Sequence, residues 1–331
     1  MGKRKVIFSY DYELFFGVRS GTVRKTLIEP TSLLLDGMER CGAKGNFFVD
    51  CSMLTAMSRQ GEALIEDYGL ILNQLKDIVR RGHRIELHLH PHWEDAVYNG
   101  DGTWDFGNFS RYSLSAFSSE EVLDMFEKGT ELLNGLASQV SPGYRVCAFR
   151  AGGWAVQPFA NLAEAFFKTG ITIDSSVARG LEYRDNYSAY DFTGAPDKSL
   201  FRFEGDVCRE DRSGRFIEVP ITTYSRCLAY RGVDFISRRI SRKKLSVITD
   251  GTHCRPDLSP AATPRTSKAM FTLSRISPLS VAAAFFLNNR KGEVSVFIDH
   301  PKDFTYSALD AIKYIMKHAE SITYKDCLEL V

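Results

Sequence analysis

The chain alternates short runs of β-branched and aromatic residues with longer segments of helical spacing. Strand-like runs are predicted at residues 5–10 (KVIFSY), 45–49 (GNFFV), 84–89 (RIELHL), 145–150 and 171–174. Helical spacing is predicted over residues 30–40, 70–81, 118–138 and 158–168, the third beginning with a serine N-cap and glutamates in the first turn. This alternation is typical of a parallel sheet or barrel with helices outside it.

The alternation breaks down from about residue 188 to 278. Two strand-like segments, 199–206 (SLFRFEGD) and 215–224 (RFIEVPITTY), flank a polar turn there. Residues 236–275 are rich in arginine and lysine, and their stretch 255–267 (RPDLSPAATPRTS) is predicted to be a loop. A helix over 279–288, a strand over 294–298, a helix over 307–318 and a short terminal strand then resume the pattern. We therefore expect one domain over residues 1–331, with an inserted irregular basic segment at about 188–278.

Composition and charge exclude several classes of protein. The 331 residues carry a net charge of +1, which gives no reason to expect a nucleic-acid partner. Asp11 and Glu13 interrupt the apolar N-terminal run, and no apolar stretch reaches the roughly 18 residues of a spanning helix. The seven cysteines are scattered and form no CxxC pair, so neither a disulfide framework nor a cysteine zinc site is indicated. We expect a soluble, cytoplasmic protein without stable membrane insertion.

Four of the seven histidines lie within residues 83–92, and His88, His90 and His92 occupy alternate positions. Alternate positions share one face only of an extended strand, and Pro91 usually marks the end of one. We therefore expect His88 at the strand end and His92 after a turn, bracketing one point, while His90 points elsewhere. The alternative is a structural role on the strand, but two histidines and a carboxylate are the usual ligands of a hydrolytic zinc site.

Other strand ends carry further candidates. Asp11 and Glu13 follow the first strand, where one carboxylate could bind a metal and the other accept a proton from water. Arg150, in FRAGGW, is suited to hold a carboxylate. The glycines after it allow close approach of backbone N–H groups, as an oxyanion hole requires, and Trp154 offers a flat apolar face on which a ring can stack. In VFIDHP, His300 could act as a general acid. The alternatives are solvated strand ends and a packing turn.

The order of these motifs resembles the polysaccharide deacetylase family with NodB homology, also known as carbohydrate esterase family 4. The resemblance rests on an acidic pair, H-x-x-x-H, an arginine–glycine–aromatic motif, DSS at 174–176 and a late strand ending in histidine. The segments YDYELFFG, HLHPHW and FRAGGW are similar to the branch encoded in bacterial O-antigen and other surface-polysaccharide clusters. The resemblance implies a distorted (β/α)7-type barrel and metal-dependent removal of an acyl group from a sugar.

Carried over to this sequence, the resemblance implies a role for each motif. Glu13, His88 and His92 would bind a divalent metal, with zinc as the first choice. Asp11 would be the catalytic base and Arg150 would orient it. His300 would be the acid that protonates the leaving amine, and Asp174 lies where the family has an acidic partner for that histidine. Gly153 or Trp154 would donate a backbone N–H to the oxyanion.

Several positions depart from the family pattern. The usual adjacent aspartate pair is here Asp11-Tyr12-Glu13, so the base and the ligand could exchange roles. Leu89 stands where a serine or threonine follows the first metal histidine, Gly152 replaces a proline, and Pro301 follows the final histidine. His90 has no family role and could replace His92 as a ligand, or contact the substrate.

These observations predict a hydrolase that removes an N-acyl group, acetyl or formyl, from an amino sugar during surface-polysaccharide biosynthesis. Trp93, Trp104 or Tyr112 of the following loop could form a wall for the sugar, unless the loop is a lid packed on itself. The basic segment could bind an anionic group of a nucleotide-linked or lipid-linked substrate, or be only a solvated face. Hydrolysis of a cyclic imide or ureide, and a non-catalytic carbohydrate-binding barrel, are the alternative functions.

Overall fold

A computed structural model of the protein describes residues 4–253, 268–288 and 294–331. Its strands are β1 (Arg4–Tyr12), β2 (Gly45–Asp50), β3 (Arg84–Leu89), β4 (Val97–Tyr98), β5 (Trp104–Asp105), β6 (Ala148–Ala151), β7 (Ile173–Asp174), β8 (Glu182–Arg184), β9 (Ala189–Asp191), β10 (Phe201–Phe203), β11 (Phe216–Glu218), β12 (Thr223–Ser225), β13 (Lys268–Met270), β14 (Val294–Asp299) and β15 (Ala319–Ser321).

The helices follow the strands in a largely alternating order. They are α1 (Glu29–Glu39), α2 (Cys51–Ser58), α3 (Ile65–Arg80), α4 (Ser119–Ser138), α5 (Ala163–Thr169), α6 (Leu228–Ile240), α7 (Pro278–Asn288), α8 (Tyr306–Met316) and α9 (Tyr324–Cys327). Ser118 caps α4 through the predicted capping box with Glu121. Among the described residues, no helix combines the length and the apolar character that a bilayer-spanning segment needs.

One sheet of nine strands organises the fold. Its order is β10-β11-β7-β6-β3-β2-β1-β14, with β15 also pairing with the beginning of β1. All neighbours are parallel except β10 and β11. The sheet curls into part of a barrel and the long helices pack outside it, so the predicted α/β, distorted (β/α)7-type barrel is confirmed.

The two faces of the sheet carry different cores. A small apolar cluster on the inner face includes Ile7, Phe48, Ala148 and Ile173. A much larger cluster lies between the outer face and the helices. Successive strand residues point to opposite faces, so the polar residues that continue the inner-face positions converge at the carboxyl ends of the strands.

The segment from about 188 to 278 is more regular than the sequence suggested. Both predicted strand regions form strands, and β11 pairs in parallel with β7, so part of this segment completes the main sheet. Helix α6 lies in this segment and was not predicted from the sequence. The predicted loop over 255–267 lies outside the described residues, as does Cys254; the six described cysteines are free thiols.

Candidate active site

The register of the central strands brings the predicted site residues together. Asp50 of β2 is paired with His88 of β3, and His88 is paired with Arg150 of β6. Asp11 lies two strands away from His88, near the end of β1. All four side chains are buried, and the strand directions place them at one edge of the sheet. This is the edge that the positions of the motifs predicted.

Arg150 holds Asp11 in one orientation. Its Nη1 donates a hydrogen bond to Asp11 Oδ1 over 2.6 Å, and neither side chain is more than a few per cent exposed. The remaining guanidinium N–H groups are bonded to Ser9 Oγ, to the backbone and side-chain oxygens of Ser175, and to Tyr324 Oη. Because each nitrogen of the guanidinium donates a hydrogen bond, Arg150 is held in place and fixes the orientation of the Asp11 carboxylate.

Glu13, His88 and His90 form a second cluster beside Asp11. Glu13 Oε2 lies 3.3 Å from His88 Nε2 and 2.8 Å from His90 Nε2. One potential ligand atom from each of the three residues lies within 4.8 Å of the other two. His88 Nδ1 is 2.7 Å from the carbonyl oxygen of Arg150, an arrangement that turns Nε2 towards the cluster.

The donor set of this cluster fits a divalent cation. Glu13 Oε2 and His88 Nε2 are buried, and neither has a well-formed hydrogen bond to any described residue. Buried polar atoms without partners are costly, and two imidazoles with one carboxylate are ligands suited to zinc and similar metals. Glu13, His88 and His90 could therefore hold a metal ion.

His90 takes the place that the sequence assigned to His92. The His92 ring lies instead among aromatic side chains, stacked on Tyr112 with centroids 5.0 Å apart and edge-on to Phe16 at 4.6 Å. Burial lowers the pKa of His92 well below its usual value, so the ring is neutral. Residues 91–95 form a single turn of 3-10 helix after β3, and this turn carries His92 away from Glu13.

Lys302 was not expected at the site. Its Nζ donates a hydrogen bond to Glu13 Oε1 over 2.8 Å and another to the backbone oxygen of Leu14 over 3.1 Å, and the side chain is buried. It also lies 4.6 Å from the centre of the Phe16 ring. Lys302 therefore occupies one oxygen of Glu13 and leaves Oε2 directed at the histidines.

His300 lies beside both carboxylates. Its Nε2 is 3.6 Å from Asp11 Oδ2 and 3.5 Å from Glu13 Oε1. On the other side of the ring, Nδ1 is 3.9 Å from Asp303 Oδ2, and Asp303 also contacts His253 and Arg275. The carboxylate on the Nδ1 side of the His300 ring is thus that of Asp303.

Asp174 does not serve His300 as the resemblance implied. Asp174 follows Ile173, which faces the inner core, so its own side chain points to the opposite face of the sheet. There it accepts hydrogen bonds from the backbone and the hydroxyl of Ser176 and shares a hydrogen bond with the buried Glu218. Burial and the adjacent Asp174 raise the pKa of Glu218 well above its usual value, so one proton is shared by this pair.

The FRAGGW segment approaches the site closely. A side chain at Gly152 would place its Cβ 2.7 Å from His90 Nδ1, so glycine is required for that ring to pack here. Gly153 has a φ of 57° and Trp154 a φ of 59°, which is an uncommon conformation for a residue other than glycine. Such a conformation is often found at functional sites. The Trp154 side chain is partly buried against Tyr190.

The aromatic loop is packed on itself and does not form an open wall. Trp93 and Trp104 are buried, with ring centroids 5.0 Å apart, and Trp93 also contacts Phe106. The prediction that Trp93 binds substrate therefore disagrees with its burial. Tyr112 is only partly buried and reaches the rings of both His90 and His92.

The charges at the site are balanced by their neighbours. Burial opposes ionisation of Asp11, but the Arg150 guanidinium, aided by His88 and His300, lowers the pKa of its carboxyl. Burial also opposes ionisation of Glu13, and Lys302 and His90 hold its pKa well below the usual value. For His88, burial is outweighed by Asp11 and Glu13, which raise its pKa to about 9. Two ionised carboxylates thus lie at the centre of the site.

No protein-family model and no curated protein sequence matches the chain significantly. Solved structures do match. A 4-alpha-glucanotransferase of Thermococcus litoralis has a TM-score of 0.53 and 15% sequence identity, over 99% of this chain and 38% of that one. A Mycobacterium smegmatis protein assigned as a polysaccharide deacetylase has a TM-score of 0.49 and 15% identity, over 100% of this chain and 91% of that one.

A third similar structure is the Bc1960 peptidoglycan N-acetylglucosamine deacetylase. It has a TM-score of 0.43 and 15% identity, over 98% of this chain and 87% of that one. The similar structures thus include polysaccharide deacetylases. The glucanotransferase, with a TM-score of 0.53 at 15% identity, shares the fold of this chain.

Proposed function

We propose that the protein is a metal-dependent deacylase of the polysaccharide deacetylase type, which removes an acetyl or formyl group from the nitrogen of an amino sugar. The observation that carries this proposal is the pair of carboxylates at the end of β1. Asp11 is bound by Arg150, while Glu13 faces the Nε2 atoms of two histidines. Asp11 is thus outside the candidate ligand set and can accept a proton from water, while Glu13 can bind a metal. Metal-dependent hydrolysis of an amide needs both roles.

Glu13, His88 and His90 would hold the metal in this proposal. When bound, a divalent cation polarises an acyl oxygen and makes water more acidic. Asp11 accepts the proton of the attacking water, and Arg150 keeps the carboxylate ionised and correctly oriented. His300, within 3.6 Å of Asp11, is placed to deliver a proton to the departing amine. The backbone N–H of Gly153 or Trp154 would stabilise the oxyanion.

The substrate class follows from the family resemblance. An amino sugar carried on a nucleotide or a lipid during assembly of a surface polysaccharide such as O-antigen is the substrate that we propose. We also propose that Trp154, Gly153 and Tyr112 help to hold the sugar. Zinc is the metal that we propose first, because its preferred ligands match this donor set.

The direct experiment measures acetate and formate released from N-acylated hexosamine nucleotides, with cyclic imides as the competing substrates. Asp11→Asn should lower the rate of release by a factor of about 10² to 10⁴. The variant should keep its fold and its metal content, because Asn can still accept from Arg150. Release from the imides alone would support the alternative C–N hydrolase, and an unimpaired Asp11→Asn protein would remove Asp11 as the base.

A further inference from the structure

Helix α6 packs against the protein through its polar side. Tyr230, Asp234 and Ser237 lie on one face of the helix, and they are its buried or partly buried residues. Tyr224 donates a hydrogen bond to Tyr230 Oη over 2.8 Å, and Ser280 donates one to Asp234 Oδ1 over 2.8 Å. The helix is therefore held by these hydrogen bonds and by the packing of the Tyr230 ring on Tyr224, and not by its aliphatic residues.

The outward side of α6 is apolar. Leu228 is 85% exposed, Phe235 59%, Ile236 62% and Ile240 76%. A surface helix that turns its apolar residues away from its own protein presents a large apolar surface to water, which marks an interaction site. We name this exposed side of Leu228, Phe235, Ile236 and Ile240 the α6 apolar face.

Cations surround the α6 apolar face. Arg239 lies within it, with its guanidinium 4.2 Å from the centre of the Phe235 ring, and Arg242 and Lys243 follow at the end of the helix. None of these three forms an ion pair with any residue that the structure describes. Their charges therefore remain available to an external anionic partner.

A cavity of about 780 Å³ runs along one flank of the same helix. Five cationic side chains line it against the two carboxylates of Glu182 and Asp234, and three of the cations, Arg226, Arg231 and Lys268, form no ion pairs within the described part of the chain. The first turn of α6 has no side-chain cap, so its N–H groups add to the positive potential there. The flank beside the α6 apolar face is thus suited to phosphate groups.

We infer that α6 docks the protein on the surface of an anionic phospholipid bilayer. Aliphatic and aromatic side chains on one side of a helix, with arginine and lysine around them, are typical of helices that lie in the interface of a membrane. Headgroup phosphates would meet the cations, while Phe235 and Ile236 enter the acyl boundary. A second copy of the chain is disfavoured as the occupant, because a symmetric contact would oppose Arg239, Arg242 and Lys243 to the same residues.

The test is partition of the full chain onto vesicles by flotation. We expect binding to vesicles of phosphatidylcholine mixed with phosphatidylglycerol, and much weaker binding to phosphatidylcholine alone. Replacing both Phe235 and Ile236 by Ser should lower the partition coefficient about tenfold or more. The matched control replaces Ile65 and Phe167, both exposed apolar residues on other helices, by Ser and should bind as the unmodified protein does.

A second variant tests the α6 apolar face through a fluorescence change on binding, so the test does not depend on a loss of binding. In Phe235→Trp, the added indole emission should shift to shorter wavelength when anionic vesicles are added. An indole already shielded before vesicles are added would show that another part of the chain or a second copy covers the face, and would overturn the inference. Absence of binding to the anionic vesicles, or equal binding by the Phe235/Ile236 variant, would also overturn it. None of these results depends on the proposed hydrolase activity.

Discussion

Lys302 Nζ lies 2.8 Å from Glu13 Oε1, and both side chains are buried. The two oxygens of Glu13 therefore differ: Oε1 is bound to Lys302, and Oε2 is directed at His88 and His90. The contact also means that a metal ion would be the second positive charge beside the same carboxylate. The lysine should therefore weaken metal binding while keeping Glu13 ionised and in place.

Lys302→Met tests this relationship. Without the lysine, the buried Glu13 carboxylate loses its charged partner, and we expect a loss of about 3 kcal/mol in the free energy of unfolding when metal is removed by a chelator. The loss should be smaller in the presence of Zn²⁺, because the ion replaces the missing charge. Urea unfolding with and without metal measures both values.

Lys244→Met is the control for that experiment. Lys244 pairs with Asp310 on the surface, where both side chains are about half exposed, so its loss should change stability by less than about 1 kcal/mol. A Lys302→Met protein with the same loss under both metal conditions would contradict the relationship between the lysine and the metal site.

Arg150→Met should change the pH dependence of hydrolysis. The guanidinium lowers the pKa of Asp11, so its removal raises that pKa and moves the acid limb of the kcat/KM profile to higher pH. Ser9→Ala is the matched variant, since it removes a partner of Arg150 without touching Asp11. It should cost about 1 kcal/mol of stability and leave the acid limb in place. If the acid limb lies at the same pH in Arg150→Met and in the unmodified protein, Arg150 does not set the pKa of the catalytic base.

His83 should make stability depend on pH without any role in activity. Its Nδ1 accepts a hydrogen bond from the Gly45 N–H, and burial lowers its pKa to about 4. In the unfolded chain the His83 imidazole takes up a proton near pH 6.5. In the folded chain it does so only at about pH 4. The unfolded state is therefore favoured progressively as the pH falls through this window, by up to about 3 kcal/mol.

His83→Asn keeps an acceptor for Gly45 and should flatten this pH dependence. The exposed His318→Asn should not change it. Denaturant unfolding between pH 4 and 6.5 measures the slope for each protein. An unchanged slope in His83→Asn would show that other groups cause the loss of stability in acid.

The sequence predicted the fold and the edge at which the site forms, because strand periodicity and strand ends are local features. The contact between Asp11 and Arg150 was implied by the family resemblance, and it is present in the structure. The choice between His90 and His92 depends on the path of the chain after Pro91, which alternate spacing does not determine. Lys302 gave no signal, since a lysine after a strand is ordinarily exposed, and its burial follows from tertiary packing alone.

Two other differences have simple physical causes. Asp174 follows an inner-face isoleucine, so strand alternation directs it away from His300, a signal that was present in the sequence. Helix α6 has the spacing of an amphipathic helix, but its apolar residues face outward, and periodicity alone does not tell which side of a helix is buried.

The metal content of His90→Ala compared with His92→Ala tests the central claim most directly. Both variants lose one buried imidazole from the same short segment, so they control for each other in stability. After loading with Zn²⁺ and removal of free ions, the unmodified protein and His92→Ala should each retain about one equivalent, while His90→Ala should retain little. Metal retained by His90→Ala and lost from His92→Ala would contradict the ligand set of Glu13, His88 and His90.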